Sequence, residues 1–375
     1  MRIIFATWAW PSHLYALVPL AWACRTAGHE VLVVTEPELV GTTTRTGLPV
    51  VGVGAGGVDT LGLVRGYLTG GRPGGGAPRA LEMVVAHAES MVDGLVDVIR
   101  EFRADVVVYE TTTMAGPIAA AATGVPAIRH LYGTDLLAVA RPVVLDALAP
   151  VARRRGVESF EPLGVATVDP TPATLQGPTD YPRLPVRHVP FNGPGVAPRT
   201  AGRGDRPLVC VTWGHTIARL DPDRFLAGRV ATAVADLDVD VVLAVSTSQL
   251  PMLGPVRDNV TVVVDTPVQH LFPNCDLVIG HGGASTVLTA LGSGVPLLLV
   301  PQLPDHARHS ARVAAVGAGT VLSVDNATGP ELRRRAAEIL DGDTERAAAH
   351  ALRDEIRRMP PPTRVVDDIV TLAGQ

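Results

Sequence analysis

The sequence predicts an α/β protein with two facing Rossmann-like domains, each built on a parallel sheet. The chain has 375 residues, which is more than one hydrophobic core usually supports. Short β-branched runs alternate with longer helical patterns in both halves, as expected where helices cover both faces of a parallel sheet. Between the halves, from Asp169 to Pro207, prolines and glycines are frequent. The end of this stretch is predicted to be an exposed interdomain connector.

The same alternation predicts the individual elements. In the first half, strands are predicted at residues 3–7, 31–35, 50–53, 106–110 and 127–131, with helices near 14–26, 80–103 and 114–123. In the second half, strands are predicted at 208–212, 239–245, 260–265, 277–280 and 297–300, with helices at 222–235, 284–293, 305–316 and 330–341. We therefore expect an N-terminal domain over residues 1–195 and a C-terminal domain over 207–375, with the last helix a candidate for packing back on the N-terminal domain.

Composition and charge exclude several classes of protein. Hydrophobic residues make up 47% and charged residues 18% of the chain, as in a soluble globular protein. A net charge of −5 gives no reason to expect a nucleic acid or an anionic membrane as partner. The chain begins with a strand-like run rather than a signal peptide, and no apolar stretch reaches 18 residues, so a membrane span is not expected.

Three further features narrow the chemistry. All 32 lysine-plus-arginine positions are arginine, which excludes a Walker A lysine, a pyridoxal Schiff base and a protein-kinase lysine. Cys24, Cys210 and Cys275 are far apart, so neither a disulfide framework nor a cysteine metal site is expected, and a reducing cytoplasm fits best. The 11 histidines form no HExxH or comparable cluster, and we predict no catalytic metal.

The most informative motif is Cys275-Asp-Leu-Val-Ile-Gly-His281-Gly-Gly-Ala-Ser-Thr286. It predicts a strand, a tight Gly-Gly turn and a helix with two hydroxyl side chains in its first turn. Unpaired backbone N–H groups and the positive end of the helix dipole then point at one spot, which suits a phosphate. His281 adds a donor or a positive charge there. The alternative interpretation is an ordinary strand-to-helix turn with a capping hydroxyl.

Motifs in both halves resemble family 1 glycosyltransferases, and most closely the bacterial enzymes that glycosylate polyketides and related antibiotics. In the second half these motifs are Thr266-Pro-Val-Gln-His-Leu-Phe-Pro273, His281-Gly-Gly283, Gly294-Val-Pro296, Pro301-Gln302 and Asp305. In the first half they are Trp10-Pro-Ser-His-Leu14, Val18-Pro-Leu-Ala-Trp22 and Ala27-Gly-His-Glu-Val31. The resemblance implies a GT-B fold, a nucleotide-sugar donor in the C-terminal domain, an acceptor in the N-terminal domain, and metal-independent transfer with inversion.

The resemblance also implies donor-binding residues. His281 matches the diphosphate-binding histidine of the family, and Asp305 matches an acid that holds sugar hydroxyls. The other donor positions are Val268 and Gln269 at the nucleobase, Gly283, Ala284, Ser285 and Thr286 at the phosphates, His306 beside the acid, and Trp213, His215 and Thr216 in an adjoining loop. Three positions depart from the family. Ser285 replaces a glycine, His306 replaces a glutamine, and Trp213-Gly-His-Thr216 replaces glycine followed by serine or threonine. A deoxysugar, with fewer hydroxyls, is consistent with loss of the glutamine.

His13 is the candidate catalytic base, because it follows the first predicted strand at the sheet edge where α/β proteins bind ligands. Histidine has the basicity to remove the proton of an acceptor hydroxyl near neutral pH. A histidine base usually needs an acid to orient it. Glu110, at the end of the fourth strand, is the preferred partner and Asp135 the rival. Alternatively, His13 merely caps its helix or packs beside Trp10. Trp10 and Asp135 are also expected on the acceptor side.

Residues 54–76 are rich in glycine and cannot supply a packed core, so they are predicted to form a mobile surface loop. A disordered insertion and an acceptor-side lid remain open as interpretations.

The sequence thus predicts an inverting enzyme that transfers a deoxysugar from a thymidine-diphosphate type of donor to an apolar, polyketide-like acceptor, with O- favoured over C-glycosylation. No cofactor, nucleic acid or membrane partner is expected, and the protein is expected to be a monomer or homodimer. Alternatives are a non-catalytic accessory subunit and a nucleotide-sugar epimerase. A dinucleotide-dependent oxidoreductase is disfavoured, because the first strand is followed by Trp8-Ala-Trp-Pro-Ser-His13 instead of the glycine-rich fingerprint.

Overall fold

The computed structural model describes residues 1–68, 79–198 and 204–374. The chain forms two compact units. Unit 1 contains Met1–Thr171, Pro178–Arg187 and Met359–Gln375, and unit 2 contains Pro172–Gly177 and His188–Arg358. Each unit has its own parallel sheet, so the prediction of two Rossmann-like domains with parallel sheets is confirmed.

Unit 1 is built on a seven-stranded sheet with the order β3-β2-β1-β4-β5-β6-β7. Its strands are β1 (Arg2–Ala6), β2 (Glu30–Thr35), β3 (Val50–Gly52), β4 (Val106–Glu110), β5 (Ala127–His130), β6 (Ala166–Asp169) and β7 (Arg183–Pro185). All neighbouring strands run parallel, with Ile4 in register with Leu32 on one side and Val107 on the other. The strand order reverses direction between β1 and β4, and ligands bind α/β sheets at the carboxyl ends of such strands.

Helices cover both faces of this sheet. They are α1 (Pro11–Thr26), α2 (Val40–Thr44), α3 (Thr60–Leu68), α4 (Arg79–Phe102), α5 (Ala115–Thr123), α6 (Arg141–Arg153) and the final helix, α14 (Pro362–Ala373). Helix α4 shows why they form: Leu81, Val84, Ala88, Met91 and Leu95 recur at helical spacing and are buried in the core. Helix α14 packs against α1 and β7 of the same unit.

Unit 2 is built on a six-stranded parallel sheet with the order β10-β9-β8-β11-β12-β13. Its strands are β8 (Leu208–Thr212), β9 (Asp240–Val245), β10 (Val260–Val264), β11 (Leu277–Gly280), β12 (Leu297–Leu299) and β13 (Gly319–Val321). Its helices are α7 (Ala173–Gln176), α8 (Thr216–Leu220), α9 (Ala227–Val234), α10 (Ala284–Ser293), α11 (Pro304–Ala315), α12 (Gly329–Asp341) and α13 (Thr344–Arg358). Here the order reverses between β8 and β11, whose carboxyl ends lead into the Trp213 and His281 loops.

Two predicted segments differ from the structure. The predicted loop over residues 54–76 contains helix α3, while residues 69–78 lie outside the described part of the chain. The predicted helix 222–235 is broken, because Phe225 is extended (φ −78°, ψ 96°) between a single 3₁₀ turn, Pro222–Arg224, and α9. Within the described ranges, no helix combines the length and apolar character needed to cross a bilayer.

Candidate active site

The first chemical centre, in unit 1, is a histidine–glutamate pair. Helix α1 begins with Pro11 after an extended Trp10, and this start places His13 in its first turn. Glu110 is the last residue of β4, the strand next to β1. His13 Nδ1 lies 3.0 Å from Glu110 Oε1, and the two side chains are 13% and 1% exposed. The structure therefore brings the predicted base and its preferred partner into direct contact.

Glu110 is held in its ionised form. Its carboxylate accepts hydrogen bonds from Thr112 N at 3.1 Å, Thr112 Oγ1 at 2.7 Å and Thr113 Oγ1 at 3.1 Å. Burial disfavours the charged carboxylate, but the charge of His13 and the hydrogen bonds from His13 and Thr112 outweigh it and lower the pKa of Glu110. When the imidazole is uncharged, ionised Glu110 accepts its Nδ1 proton, which leaves the lone pair of His13 on Nε2.

Aromatic rings enclose His13. The Trp8 ring meets the imidazole edge-on at 5.1 Å, the Tyr132 ring lies 4.3 Å from it, and Trp8 stacks on Trp10 at 5.2 Å between centroids. Trp8 Nε1 also lies 3.1 Å from His13 Nδ1. Since that nitrogen cannot both accept from the indole and donate to Glu110, the charge-assisted bond to the carboxylate prevails. Trp10, predicted on the acceptor side, thus lies in the same aromatic cluster as the base.

Asp135 has a different partner. Its carboxylate lies 2.7 Å from Nη2 of Arg129, whose side chain is fully buried, and it accepts the backbone N–H groups of Leu137 and Ala138 at 2.9 and 3.2 Å. The rival role, in which Asp135 orients His13, is therefore wrong: Glu110 occupies that position. The pairing could not be predicted, because Arg129 lies inside a predicted strand, 127–131.

A second histidine–glutamate pair lies beside the first and was missed by the sequence analysis. His87 Nδ1 is 2.9 Å from the Glu36 carboxylate, and both side chains are buried. Glu36 Oε2 accepts the backbone N–H of Ala9 at 3.0 Å, and the His87 ring packs 4.6 Å from Trp8. This pair therefore fixes the loop from which α1 begins. Glu36 directly follows β2, just as Glu110 ends β4, and that placement was the available signal.

The second chemical centre, in unit 2, is the turn between β11 and α10. Gly283 caps α10 without a side-chain hydrogen bond, so the first N–H groups of the helix, those of Ala284, Ser285 and Thr286, have no intrahelical acceptor. Gly282 has φ +87°, and a Cβ there would collide with Ser310 Oγ. A Cβ at Gly283 would lie 2.6 Å from His281 Nε2. Gly282 is therefore required by the backbone of the turn, and Gly283 leaves space for the His281 ring. The turn presents backbone donors, as expected for an anion site.

His281 is buried beside this turn and is electrically neutral. Burial, followed by the neighbouring His306, His215 and His309, lowers its pKa well below the ordinary value of 6.5. The His306 ring meets it edge-on at 4.5 Å. Its buried Nδ1 has no hydrogen-bond partner among the described residues. An unsatisfied buried nitrogen next to a row of backbone donors is consistent with a ligand that completes the site.

The remaining predicted donor residues divide by burial. Trp213 is fully buried and donates from Nε1 to Gln302 Oε1 at 2.8 Å, so its side chain supports the loop rather than a ligand. His306 is also buried, with its ring against that of His281. His215 and Thr216 stand at the start of the short helix α8. Asp305 lies in the first turn of α11 with its side chain 35% exposed.

Val268 and Gln269 form a 3₁₀ turn, Val268–His270, after β10. Gln269 Oε1 accepts the backbone N–H of Asn192 at 2.6 Å, and Ser285 Oγ accepts from Asn192 Nδ2 at 2.7 Å. Asn192 was not singled out from the sequence, because it lies in the proline- and glycine-rich stretch.

Acid should destabilise the fold through His130, the last residue of β5. His130 donates from Nδ1 to the Leu131 carbonyl at 2.7 Å, and burial, partly offset by that bond and by Glu110, lowers its pKa to about 4. The unfolded chain takes up this proton near 6.5 and the folded chain only near 4, so stability is lost as the pH falls through that window. At 1.36 kcal/mol per pH unit the loss is about 3 kcal/mol.

We expect His130→Asn, which keeps a donor but does not titrate, to reduce by about 3 kcal/mol the change in unfolding free energy between about pH 6.5 and 4. Urea unfolding of both proteins across that range measures the difference. Parallel pH profiles for the two proteins would contradict this assignment.

Comparisons with known proteins agree with the fold. Two family models match: Erythromycin biosynthesis protein CIII-like, N-terminal domain, over residues 76–214, and the C-terminal domain of the same description over residues 228–372. The chain is 33% identical to Aclacinomycin-T 2-deoxy-L-fucose transferase of Streptomyces galilaeus, with all of this chain and 97% of the relative covered.

Solved structures are similar over the same extent. The glycosyltransferase VinC in complex with DTDP has a TM-score of 0.84 and 33% identity, with both chains covered completely. The Spinosyn Rhamnosyltransferase SpnG complexed with spinosyn aglycone has a TM-score of 0.85 and 27% identity, covering 98% of this chain and 100% of that one. The chain therefore belongs to the Erythromycin biosynthesis protein CIII-like family and is a bacterial natural-product glycosyltransferase with the GT-B fold.

Proposed function

We propose that this protein transfers a deoxysugar, with inversion, from a thymidine diphosphate (TDP) donor to a hydroxyl group of an apolar polyketide acceptor. The observation that carries the proposal is the 3.0 Å contact between His13 and an ionised Glu110. The donor follows from VinC, whose structure contains DTDP, and from the deoxysugar named for the Streptomyces galilaeus relative. The acceptor class follows from the spinosyn aglycone bound to SpnG.

In the proposed reaction, His13 Nε2 takes the proton of the acceptor hydroxyl as its oxygen attacks the anomeric carbon of the sugar. The new carbon–oxygen bond forms while the bond to the diphosphate breaks, and TDP leaves with the electron pair. Glu110 stabilises the imidazolium that results. Because one displacement occurs at the anomeric carbon, its configuration inverts. The same pair favours a catalyst over the non-catalytic accessory subunit considered from the sequence.

The turn before α10 is the proposed diphosphate site. Its backbone N–H groups and His281 would stabilise the negative charge that develops on the leaving group. The proposal includes neither a metal nor an organic cofactor. It assigns the nucleobase to the Val268–His270 turn and the sugar to Asp305. His306 stands where the family often has a glutamine, and its ring packs against His281, which favours a sugar that has lost hydroxyls.

O-glycosylation is favoured because the unit 1 centre contains a base, His13, oriented by the Glu110 carboxylate. A pair of this kind can deprotonate a hydroxyl group. We also place the protein in the cytoplasm, since Cys24, Cys210 and Cys275 are all free and buried.

The test combines binding with product analysis. Calorimetry should show that the protein binds TDP more tightly than UDP. Incubation with TDP-deoxysugars and a panel of polyketide aglycones should yield a mass increase of one deoxysugar, unchanged by EDTA, with the anomeric configuration inverted by NMR. Binding of no nucleoside diphosphate, or a product with retained configuration, would refute the proposal.

A further inference from the structure

Asn192 joins two elements of the proposed donor site, although it lies before the first strand of the unit 2 sheet. Its backbone N–H donates to Gln269 Oε1 at 2.6 Å, and its side-chain amide donates to Ser285 Oγ at 2.7 Å. The amide also exchanges longer contacts of 3.3 and 3.4 Å with Thr289 Oγ1, one turn further along α10. One residue thus connects the Val268–His270 turn with the start of α10.

The bond to Gln269 fixes the orientation of that side chain. A backbone N–H can only donate, so the atom that faces it must be the amide oxygen. Gln269 Nε2 is consequently the end directed away from Asn192, and it presents two N–H donors. Donors of this kind match the carbonyl oxygens of a pyrimidine base.

The bond to Ser285 has a similar effect on a hydroxyl. Because Ser285 Oγ accepts from Asn192 Nδ2, the hydroxyl proton must be directed at another acceptor. Ser285 lies in the first turn of α10, among the backbone donors of the diphosphate site. Where the family usually has glycine, this chain therefore has an oriented O–H donor that a phosphate oxygen can accept.

The segment around Asn192 is also packed closely against the nucleobase loop. A Cβ on Gly195 would lie 2.5 Å from Pro267 Cδ and 2.8 Å from the Asp265 carbonyl oxygen. A side chain at position 195 would prevent this approach. The close contact between the segment and the nucleobase loop therefore depends on Gly195. Val196, the next residue, is 84% exposed and takes no part.

We propose that Asn192 is a positioning residue for the donor, which turns the Gln269 amide toward the nucleobase and the Ser285 hydroxyl toward the diphosphate. This inference rests on the proposed donor site. It assigns to Ser285 a phosphate contact that a glycine at the same position cannot make. The effect on the diphosphate and the effect on the nucleobase can be measured separately. The side chain of Asn192 acts on the phosphates, and its backbone acts on the base.

Calorimetry with TDP and with thymidine tests the proposal on Asn192→Ala, Ser285→Ala and the double variant. We expect each single variant to bind TDP about tenfold more weakly, as for one lost charge-assisted hydrogen bond, and to bind thymidine as the wild type does. The double variant should bind TDP no more weakly than Ser285→Ala, because Asn192 acts through that hydroxyl. Val196→Ala is the matched control and should bind both ligands normally.

Gly195→Ala provides a second, independent arm. By pushing the segment off Pro267, it should weaken thymidine binding together with TDP binding, since Gln269 loses its backbone partner. Unchanged TDP affinity in Ser285→Ala, strictly additive losses in the double variant, or equal loss of thymidine and TDP in Asn192→Ala would overturn the inference while leaving the proposed function in place. A wild-type protein that binds no TDP would overturn both.

Discussion

Replacement of His13 by alanine should lower the rate of glycosyl transfer by about 10²–10⁴-fold, the range usual for a general base, and should leave TDP affinity close to that of the wild type. The reason is the separation of tasks. His13 and Glu110 belong to unit 1, whereas every residue proposed to bind the nucleotide belongs to unit 2. The measurement is the single-turnover rate at saturating donor, together with calorimetry of TDP binding.

Two variants serve as controls for this prediction. Glu110→Gln keeps the size of the side chain but removes its charge, and it should give a smaller loss of rate because the imidazole remains. His29→Ala removes a histidine whose Nδ1 lies 3.4 Å from the chain's own N-terminal amine, and it should have no effect on transfer. Transfer at the normal rate by His13→Ala would remove His13 from the mechanism.

Replacement of His281 by alanine should weaken TDP binding and lower the transfer rate by about 10²–10³-fold, as expected when a donor to a developing negative charge is removed. In the protein without nucleotide, His281 is neutral because burial holds its pKa well below the ordinary value. A bound diphosphate favours the protonated ring, so proton uptake should accompany binding. Wild-type affinity for TDP should therefore increase as the pH falls below about 6.5, toward the lowered pKa of His281 in the ligand-free protein.

TDP itself titrates in this range, so the pH dependence of binding has two sources. His281→Gln separates the contribution of the His281 side chain from that of the ligand. The variant retains only the pH dependence of the nucleotide, and the difference between the two proteins reports His281. His29→Ala, which changes a histidine of unit 1, should follow the wild type. Equal pH dependence in wild type and His281→Gln would show that the histidine stays neutral in the complex.

The parts of the site that could be predicted are those encoded in contiguous sequence. Gly280, His281 and Gly283 form a strand, turn and helix start within a few residues. His13 comes after one recognisable strand, and Glu110 ends another. Their side-chain pairing then required only that β1 and β4 be neighbours, which is the usual order in this fold.

The parts that could not be predicted depend on burial and on distant contacts. Nothing in the sequence indicates that the Trp213 and His306 side chains are buried. An aromatic residue or a histidine in a loop after a strand can face either the core or the solvent. The Glu36–His87 pair joins residues 51 positions apart. Strands β6 and β7 were also not predicted: β6 reads Ala-Thr-Val-Asp and β7 reads Arg-Leu-Pro, so neither is a run of apolar β-branched residues.

The assignment of His188–Arg358 to unit 2 determines where hybrid enzymes can be joined. A crossover at the glycine-rich end of the connector would give Asn192 of one parent the Gln269 and Ser285 of another. A junction between Arg187 and His188 keeps these three residues from a single source. Because α14 packs on α1, a graft of unit 1 must also carry the last helix of the chain with it.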